Sequence, residues 1–324
     1  MAKIFIFGAL GQDGRFLSHQ LVKKGHDVYG FIRPHKSTAN VRVIGVKYHE
    51  IDIMNKEALS KFIELIQPSF IYNLASMSSV RNSFDNPLLS EAVNFHFVKN
   101  LLNVIKDFQA KNMQVIRLFQ ASTSEMFDTE QSMPLNEQSK FNPKSPYGMH
   151  KILAHKECLK YRDKYDLHVY MGILFNHESY LRPLNFVSRK ITHAAYLISI
   201  GQKKELLLGN SNVTRDWGYA PDYTNAMSLV LESKKPDVYV IATGELHSIK
   251  EICETAFKKV GIPDYENYIK LDKNLLREND LSGQYGDFRK IQLALGWQPQ
   301  KKFQDIIHEM VDLESNSESQ SIYL

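Results

Sequence analysis

The first half of the chain alternates two hydrophobic patterns. Short apolar runs predict strands, and segments with apolar residues every three or four positions predict helices that bury one face. The predicted strands are residues 3–8, 27–33, 47–52, 70–76, 114–122 and 168–175. The predicted helices are residues 14–25, 56–68, 89–111 and 145–165. Because alternating strands and helices form parallel sheets with right-handed crossovers, the sequence predicts an α/β fold with a doubly wound parallel sheet.

The second half of the chain has a different character. After residue 176 the alternation weakens, and glycine, asparagine and proline become frequent. We interpret residues 1–176 as a dinucleotide-binding domain. Residues 177–312 are interpreted as a smaller α/β domain that binds the substrate, with allowance for segments that return to the first domain. The polar residues 313–324 are predicted to form a flexible tail.

Composition and charge indicate which partners, which cellular location and which kinds of site to expect. The net charge is only +4 and no basic stripe is present, so nucleic acid is not expected as a partner. The two cysteines, Cys158 and Cys253, lie far apart in helix-like segments, which indicates a reducing, cytoplasmic location. The chain does not begin with a recognisable signal peptide, and no apolar run approaches the ~20 residues of a membrane span. Because no HxxxH pair or cysteine–histidine cluster occurs, no metal site is predicted.

A glycine-rich loop follows the first predicted strand and opens the first helix. Its sequence GALGQDG supplies Gly8, Gly11 and Gly14. Glycines at such a junction let the backbone approach a pyrophosphate, which the helix N-terminus then stabilises. The loop therefore predicts a dinucleotide cofactor.

The ends of the next two strands bear on which dinucleotide binds. The second strand ends in Arg33, followed by Pro34, His35 and Lys36. An acid at this position holds a ribose hydroxyl, whereas an arginine accommodates a 2′-phosphate, so NADP is favoured and NAD is the alternative. Asp52 ends the third strand, where a carboxylate can accept a hydrogen bond from the adenine amino group.

A tyrosine and a lysine share one face of the helix predicted over residues 145–165. Tyr147 and Lys151 are at i and i+4, after Ser145 as N-cap and Pro146 at the first helical position. Thr123 lies at the carboxyl end of a strand, where open α/β sheets bind ligands. We expect the ammonium to lower the phenol pKa below its usual ~10. This set suits hydride transfer from a sugar carbinol to a nicotinamide.

A resemblance to a known family supports that chemistry. Segments between residues 8 and 248 resemble, in order, those of the GDP-mannose 4,6-dehydratase branch of the extended short-chain dehydrogenases/reductases. The segments are GALGQDG, YNLASMSSV, NSFDNP, QASTSE, SPYGMHK, GILFNHES, NFVSRKI, LGN…RDWGYAPDY and VIATGELHS. The resemblance implies a Rossmann-type sheet with a smaller C-terminal α/β substrate-binding domain. It also implies a cytoplasmic, homo-oligomeric lyase of nucleotide-sugar metabolism and polysaccharide biosynthesis.

The resemblance also assigns roles to positions of this chain. It implies that the catalytic residues are Thr123, Glu125, Tyr147 and Lys151. The implied cofactor contacts, besides Tyr147 and Lys151, are Gly8, Ala9, Leu10, Gly11, Gln12, Asp13, Gly14, Arg33, Asp52, Ile53, Leu74, Ala75, Ser76, Met77, Ser78, His177 and Arg182. The implied contacts with the GDP-sugar are Ser124, Asn176, Asn185, Lys190, Arg215 and Arg277.

Several positions depart from the family pattern. The segment after Arg33 is shorter than the family's arginine-rich segment, which grips the NADP phosphate and helps to form a tetramer. NAD is therefore an alternative to NADP as the cofactor, and a homodimer is an alternative to a homotetramer. The other departures are expected to surround the sugar and cofactor, and they favour a different hexose or a heptose. They are Ser79, Leu89, Met126, Phe127 and the loop 180–186.

Glu125 distinguishes elimination from simple oxidation. An epimerase or reductase uses Tyr, Lys and a hydroxyl residue, and it needs no acid beside that hydroxyl. After C4 becomes a ketone, a carboxylate over C5 can remove the acidic proton and protonate the departing C6 hydroxyl. Partial burial is expected to raise the Glu125 pKa above ~4.3. The predicted function is therefore a GDP-sugar 4,6-dehydratase acting on GDP-mannose or a GDP-manno-heptose.

Two other functions are compatible with parts of the pattern. One is a GDP-sugar or GDP-heptose 4-dehydrogenase, epimerase or reductase that does not eliminate water. The other is a non-catalytic dinucleotide-binding regulator, against which the complete set of Thr123, Tyr147 and Lys151 argues. The wide apolar faces of the helices over 89–111 and 145–165 predict a dimer through a four-helix contact.

Overall fold

The structure, a computed structural model, describes residues 1–34, 42–276 and 283–314. The strands are β1 (Lys3–Phe7), β2 (Asp27–Ile32), β3 (Lys47–Glu50), β4 (Phe70–Asn73), β5 (Arg117–Thr123), β6 (Val169–Leu174), β7 (Asn176–Glu178), β8 (Leu206–Leu208), β9 (Thr214–Arg215), β10 (Trp217–Tyr219), β11 (Val238–Ile241), β12 (His247–Ser248) and β13 (Ile269–Leu271). The helices are α1 (Gln12–Lys23), α2 (Lys56–Ile66), α3 (Val80–Asp85), α4 (Pro87–Glu91), α5 (Phe97–Asn112), α6 (Pro146–Tyr165), α7 (Val187–Ser199), α8 (Ala220–Glu232), α9 (Ile249–Lys259), α10 (Arg289–Leu295) and α11 (Phe303–Asp312).

Seven strands form a parallel central sheet in the order β11-β6-β5-β4-β1-β2-β3. The chain starts at β1 in the middle, builds out to β3 at one edge, returns to β4 and then builds out to β11 at the other edge. The direction of winding therefore reverses between β1 and β4. In open sheets of this kind the crevice at such a reversal, beyond the carboxyl ends of the strands, binds the ligand. The predicted fold class is confirmed.

Helices cover both faces of the sheet, and β1 shows why. Ile4 and Ile6 point to the face that α1 and α8 cover, whereas Phe5 and Phe7 point to the face that α2, α5 and α6 cover. All four side chains are buried. A strand that is buried on both faces is apolar throughout rather than alternating, which explains the short continuous apolar runs in the sequence.

The predicted elements of the first half match the structure within a few residues, with one exception. The helix predicted over 89–111 consists of α4, a π-helical turn over Ala92–His96, and α5. A π-turn holds an extra residue and so shifts the helical register, often at functional sites. Here the shift brings Asn94 into the interior, where it is buried.

The second half of the chain contributes to both the sheet and a separate core. The strand β11 pairs with β6, and α8 packs against the same sheet face as α1, with Met227 and Val230 in the shared core. In contrast, α7, α9 and α11 pack against one another through a second core that includes Ile191, Phe257 and Met310. The predicted boundary at residue 176 thus lies before segments that return to the sheet.

The last described residues are held by α7. The buried carboxylate of Glu314 accepts hydrogen bonds from Arg189 Nη2 at 3.1 Å and from His193 Nδ1 at 2.8 Å. Residues 315–324, most of the predicted tail, lie outside the described residues. Across the described ranges, no helix has both the length and the apolar composition that crossing a membrane requires.

Packing of α8 against the sheet predicts a contrast between two leucines. Leu231 in α8 is fully buried, whereas Leu293 in α10 is 87% exposed. We expect Leu231→Ala to lower the free energy of unfolding by about 2–5 kcal/mol, because the truncation leaves a cavity. Leu293→Ala, the matched control, should change it by less than about 0.5 kcal/mol. Urea denaturation measures both, and equal losses would contradict the placement of α8.

Candidate active site

The glycine loop is shaped for close backbone contact. Gly8 has φ +83°, and a Cβ there would lie 2.9 Å from the backbone of Leu74 and Ala75. A Cβ at Gly14 would lie 2.3 Å from the carbonyl oxygen of Gly8. Gly11 is the N-cap of α1 and makes no side-chain capping bond, so a ligand could take that role. The loop therefore fits the pyrophosphate of a dinucleotide at the start of α1.

Two polar residues of the loop bind the opposite strand segment. Asp13 Oδ2 lies 3.0 Å from His177 Nε2, and His177 Nδ1 lies 2.7 Å from the carbonyl oxygen of Phe175. The Gln12 amide donates to the His177 carbonyl at 3.0 Å and accepts from Ser179 Oγ at 2.8 Å. These bonds join the predicted cofactor loop to β7.

The Asp13–His177 pair shifts the pKa values of both groups. Burial works against ionisation of each, but their mutual attraction and hydrogen bond outweigh it. The pKa of His177 is raised and the pKa of Asp13 is lowered. The pairing therefore favours the charged form of each group over that of the same side chain alone in water.

Asn94 supports the loop that follows β4, within the predicted cofactor contacts Leu74–Ser78. Its Oδ1 accepts from Ser76 Oγ at 2.8 Å and from the Met77 amide at 3.2 Å. Its amide nitrogen donates to Ser90 Oγ at 3.2 Å. The sequence interpretation missed this residue. Its one signal was a polar side chain inside an otherwise apolar helical segment.

The predicted catalytic residues converge at the end of β5 and the start of α6. Thr123 is the last residue of β5, and its Oγ1 accepts from the Glu125 amide at 3.3 Å, at the start of a 3₁₀ turn over Ser124–Met126. The Thr123 and Ser76 hydroxyls lie close enough to the Tyr147 phenol to lower its pKa, and the charge of Glu125 raises it. Hydroxyl, phenol and carboxylate are therefore neighbours.

The first turn of α6 is held by several backbone contacts. Ser145 is the N-cap, as predicted, and its Oγ accepts from the Gly148 amide at 3.1 Å. The Tyr147 amide donates to Ser83 Oγ at 3.1 Å. A Cβ at Gly148 would lie 2.4 Å from the Glu125 carbonyl oxygen, so the helix starts directly against the Glu125 backbone.

Burial dominates the ionisation of the Tyr147–Lys151 pair. It raises the pKa of Tyr147 to about 12, although Thr123, Ser76 and Arg182 oppose the rise. It lowers the pKa of Lys151 to about 8. Lys151 Nζ lies 5.8 Å from the Tyr147 ring centre and donates to the Ala121 carbonyl at 2.9 Å. The expected lowering of the phenol pKa is therefore wrong for the protein alone, because the phenolate is desolvated.

The predicted substrate contacts lie on the segments that face the sheet. Asn176 is on β7, Asn185 is exposed before α7, and Lys190 is on α7 with a pKa lowered by burial and by Lys203. Arg215 is on β9 and donates to the Thr214 carbonyl at 2.9 Å. Arg277 lies outside the described residues.

The remaining predicted cofactor contacts lie on both sides of the crevice. Arg33 is exposed just after β2, while His35 and Lys36 lie outside the described residues. Asp52 is exposed, and its Oδ1 accepts from the Met54 amide at 2.9 Å. Arg182 Nε lies 3.2 Å from Glu178 Oε2, and its guanidinium lies 3.9 Å from the Phe186 ring centre.

Asp216 is a second residue that the sequence interpretation missed, although it lies in the RDWG motif. Its Oδ1 accepts from the Thr243 amide at 2.9 Å and from Thr243 Oγ1 at 2.7 Å. Its Oδ2 accepts from the amides of Gly244 at 2.9 Å and Gly286 at 3.2 Å. Burial raises its pKa even so. This carboxylate ties three segments together beside Arg215.

The departures from the family pattern do not all surround the sugar. Met126 and Phe127 are fully buried in a core with Phe175, so for these two residues the expectation is wrong. They follow the 3₁₀ turn into the interior rather than into the crevice. Leu89 is exposed on α4, and Ser79 caps α3.

The Asp13–His177 pair predicts a pH-dependent stability. Because the pKa of His177 is higher in the fold than its ordinary value of 6.5, protonation of His177 stabilises the fold. This contribution is complete below pH 6.5 and is lost as the pH rises through the raised pKa. Because the pKa of Asp13 is lower in the fold than its ordinary value of 3.8, its ionised carboxylate stabilises the fold above pH 3.8. This contribution is lost as the pH falls through the lowered pKa. We therefore expect His177→Gln to cost more unfolding free energy at about pH 5.5 than at about pH 9. Urea denaturation at both pH values measures this, and an equal cost at both would contradict it.

Comparison with known proteins identifies the family. A family model described as GDP-mannose 4,6 dehydratase matches residues 5–310. GDP-mannose 4,6 dehydratase 1 of Arabidopsis thaliana is 37% identical over 323 residues, which cover 95% of this chain and 88% of that protein.

Two solved structures show the same fold. UDP-glucose 4-epimerase of Thermotoga maritima has a TM-score of 0.87 and 19% identity, covering 97% of this chain and 99% of that one. dTDP-glucose 4,6-dehydratase of Bacillus anthracis has a TM-score of 0.84 and 20% identity, covering 99% of this chain and 98% of that one. The chain belongs to the GDP-mannose 4,6 dehydratase family, which confirms the predicted class of enzyme, a nucleotide-sugar 4,6-dehydratase.

Proposed function

We propose that this protein converts a GDP-sugar to its 4-keto-6-deoxy form with a nicotinamide cofactor that is regenerated in each turnover. One observation carries the proposal: Thr123, Tyr147 and Glu125 lie together at the end of β5, where Thr123 Oγ1 accepts from the Glu125 amide and both residues influence the ionisation of the Tyr147 phenol. A dehydrogenase or epimerase would need the first two residues and would leave the carboxylate without a role. Family membership supports the choice of a GDP-sugar.

The cofactor is proposed to be NADP. The glycine loop joins β1 to the N-terminus of α1, where a pyrophosphate is stabilised, and the residue after β2 is the exposed Arg33 rather than an acid. The Bacillus anthracis dehydratase structure is a complex with NAD, which is the alternative. Held against the glycine loop and the start of α1, a nicotinamide dinucleotide would supply reversible hydride transfer between the C4 and C6 positions of the sugar.

Tyr147 is proposed to move the proton of the C4 hydroxyl. Its phenol has a pKa of about 12 in the protein alone, so it needs positive charge nearby to act as a base. Lys151 and Arg182 are the cations available, and the Arg182 charge already favours the phenolate. Thr123 Oγ1 is placed to hold the oxygen from which the proton departs.

Glu125 is proposed to perform the elimination. The C5–H bond breaks and its proton passes to the carboxylate, while the C5 electron pair forms a double bond to C6. The C6–O bond breaks, and the same proton leaves with the hydroxyl as water. Hydride return at C6 must be accompanied by uptake of one proton at C5, which balances the proton removed from the C4 hydroxyl, so the net loss is one water. General acid–base help of this kind contributes roughly 10²- to 10⁴-fold to a rate.

The sugar is proposed to be mannose or a manno-heptose. Arg215 and Lys190 would neutralise the diphosphate, and Asn176, Asn185 and Ser124 offer hydrogen bonds to the remainder of the ligand. The apolar Leu184 is exposed in the loop that would approach the sugar. An apolar side chain there would make no hydrogen bond to the sugar hydroxyls, which leaves a manno-heptose as the alternative to mannose.

Dehydration has a distinct signature in mass. We expect the wild type with GDP-mannose or GDP-manno-heptose to give a product lighter by one water, measured by mass spectrometry. Oxidation alone would remove two hydrogens, and epimerisation would leave the mass unchanged. Glu125→Gln should bind NADP normally and lose water elimination by roughly 10²- to 10⁴-fold. Undiminished water loss in this variant would refute the role of Glu125.

Tyr147→Phe is the matched control for the step before elimination. It removes one hydroxyl from a buried ring and should abolish oxidation at C4. Glu125→Gln, which should stop after that oxidation, is expected to accumulate reduced cofactor with substrate, and the double variant with Tyr147→Phe should show no such absorbance change. Normal cofactor reduction in this variant would count against the tyrosine assignment.

A homodimer is proposed through the surface formed by α3, α4 and α6. Five apolar side chains on it are exposed: Phe84, Leu88, Leu89, Met149 and Leu153. An apolar patch of this kind is commonly covered by another subunit. We expect Leu88→Glu to lower the mass measured by light scattering, whereas Leu293→Glu on α10 should not. A wild-type monomer would overturn the proposal, and a tetramer would require a second interface.

A further inference from the structure

We propose that His155 is a positioning residue that fixes the separation between the end of β5 and α6. The inference rests on the proposed function, since it concerns how Thr123, Tyr147 and Lys151 are held at working distance. Neither His155 nor its partner Ser122 is among the residues that touch substrate or cofactor in that proposal.

His155 faces the strand end from the helix turn that follows Lys151. Its Nδ1 lies 3.0 Å from Ser122 Oγ, and both side chains are buried. Lys151 Nζ donates to the carbonyl of Ala121 at 2.9 Å. Two successive turns of α6 thus bind two successive residues of β5, immediately before Thr123. Helix and strand are held at two points, so the helix can neither slide nor rotate against the strand end without breaking a buried bond.

The same imidazole touches the segment that continues from Glu125. Phe141 meets the His155 ring in a T-shaped contact, with ring centres 5.4 Å apart. Phe141 also packs against Phe127, with ring centres 5.3 Å apart, and the backbones of these two residues form an antiparallel bridge. His155 therefore lies where the three segments that carry Thr123, Glu125 and the Tyr147–Lys151 pair meet.

The chemistry of the site explains why a histidine serves here. A buried Ser122 hydroxyl needs a hydrogen-bond partner, which an apolar residue would not supply. A permanently charged cationic side chain at position 155 would repel the Lys151 ammonium on the same helix. Burial, with Arg162 two turns further along α6, lowers the pKa of His155 to about 4, so the ring is neutral at neutral pH. A neutral ring can bond Ser122 and pack against Phe141 without repelling Lys151.

Three variants test this role. His155→Phe keeps a ring for the Phe141 contact and removes the nitrogen, Ser122→Ala removes the hydroxyl, and His155→Asn retains a polar atom near the position of Nδ1. We expect His155→Phe and Ser122→Ala each to lower kcat for water elimination by roughly 10- to 100-fold, because small misplacements of reacting groups have effects of this size. The KM for the GDP-sugar should change by less than about 2-fold. His155→Asn should recover most of the rate.

The double variant distinguishes positioning from general damage. Because both single substitutions break the same bond, Ser122→Ala combined with His155→Phe should be no slower than His155→Phe alone. Losses that multiply, or a kcat in His155→Phe within about 2-fold of the wild type, would overturn the proposal. If His155→Phe does not fold, Ser122→Ala tests the loss of the bond and His155→Asn tests its retention, and a kcat in Ser122→Ala within about 2-fold of the wild type would overturn the proposal.

A readout without substrate separates this inference from the proposed function. Hydrogen exchange of the backbone over residues 117–128 should be faster in His155→Phe and Ser122→Ala than in the wild type, and close to wild type in His155→Asn. If the wild type eliminated no water from a GDP-sugar, the proposed function would be wrong. The hydrogen-exchange measurement would still test whether His155 positions α6 against β5. Unchanged exchange in both variants would overturn it.

Discussion

The contact between α6 and the end of β5 is the constraint on which the candidate site depends. The buried ammonium of Lys151 is bonded to the Ala121 carbonyl, and Gly148 lies so close to Glu125 that a single methyl group would not fit. The strand supplies the hydroxyl, the helix supplies the phenol and the ammonium, and the turn between them supplies the carboxylate. Moving the helix against the strand would change every distance that matters for proton transfer.

The segments that carry the predicted ligand contacts around this centre are joined by buried or half-buried carboxylates rather than by apolar packing alone. Asp13 holds β7 against the glycine loop, Asp216 gathers three segments beside Arg215, and Glu314 bonds Arg189, the neighbour of Lys190. Glu178 bonds both Ser188 and Arg182. Asp13 is itself a predicted ligand contact, Asp216 and Glu178 each lie beside one in the sequence, and Glu314 bonds the neighbour of one. Because removal of one partner from a buried pair is costly, such pairs hold their neighbours in one arrangement.

This arrangement also explains how the chain differs from its family without losing the shared chemistry. Met126 and Phe127 lie in the core with Phe175, so they alter what supports the turn after Glu125 rather than what the sugar meets. Tyr180 is buried against Phe16, which fixes the first part of the loop 180–186 on α1. The exposed Leu184 is the part of this loop that differs from the family pattern and is accessible to a sugar.

The sequence by itself determined the strands and helices of the first half, the glycine loop, the Ser145 cap and the positions of Tyr147 and Lys151 on one helix face. These features depend on residues near one another in the chain, so periodicity and spacing reveal them. Only the tertiary structure decided that Asn94 enters the interior through a π-turn, that α8 and β11 rejoin the sheet, and that Asp216 bonds Thr243, Gly244 and Gly286. It also decided that burial raises the Tyr147 pKa to about 12 despite the nearby lysine. The physical reason is common to all four: each depends on neighbours that are distant in the chain, and on how completely those neighbours exclude water.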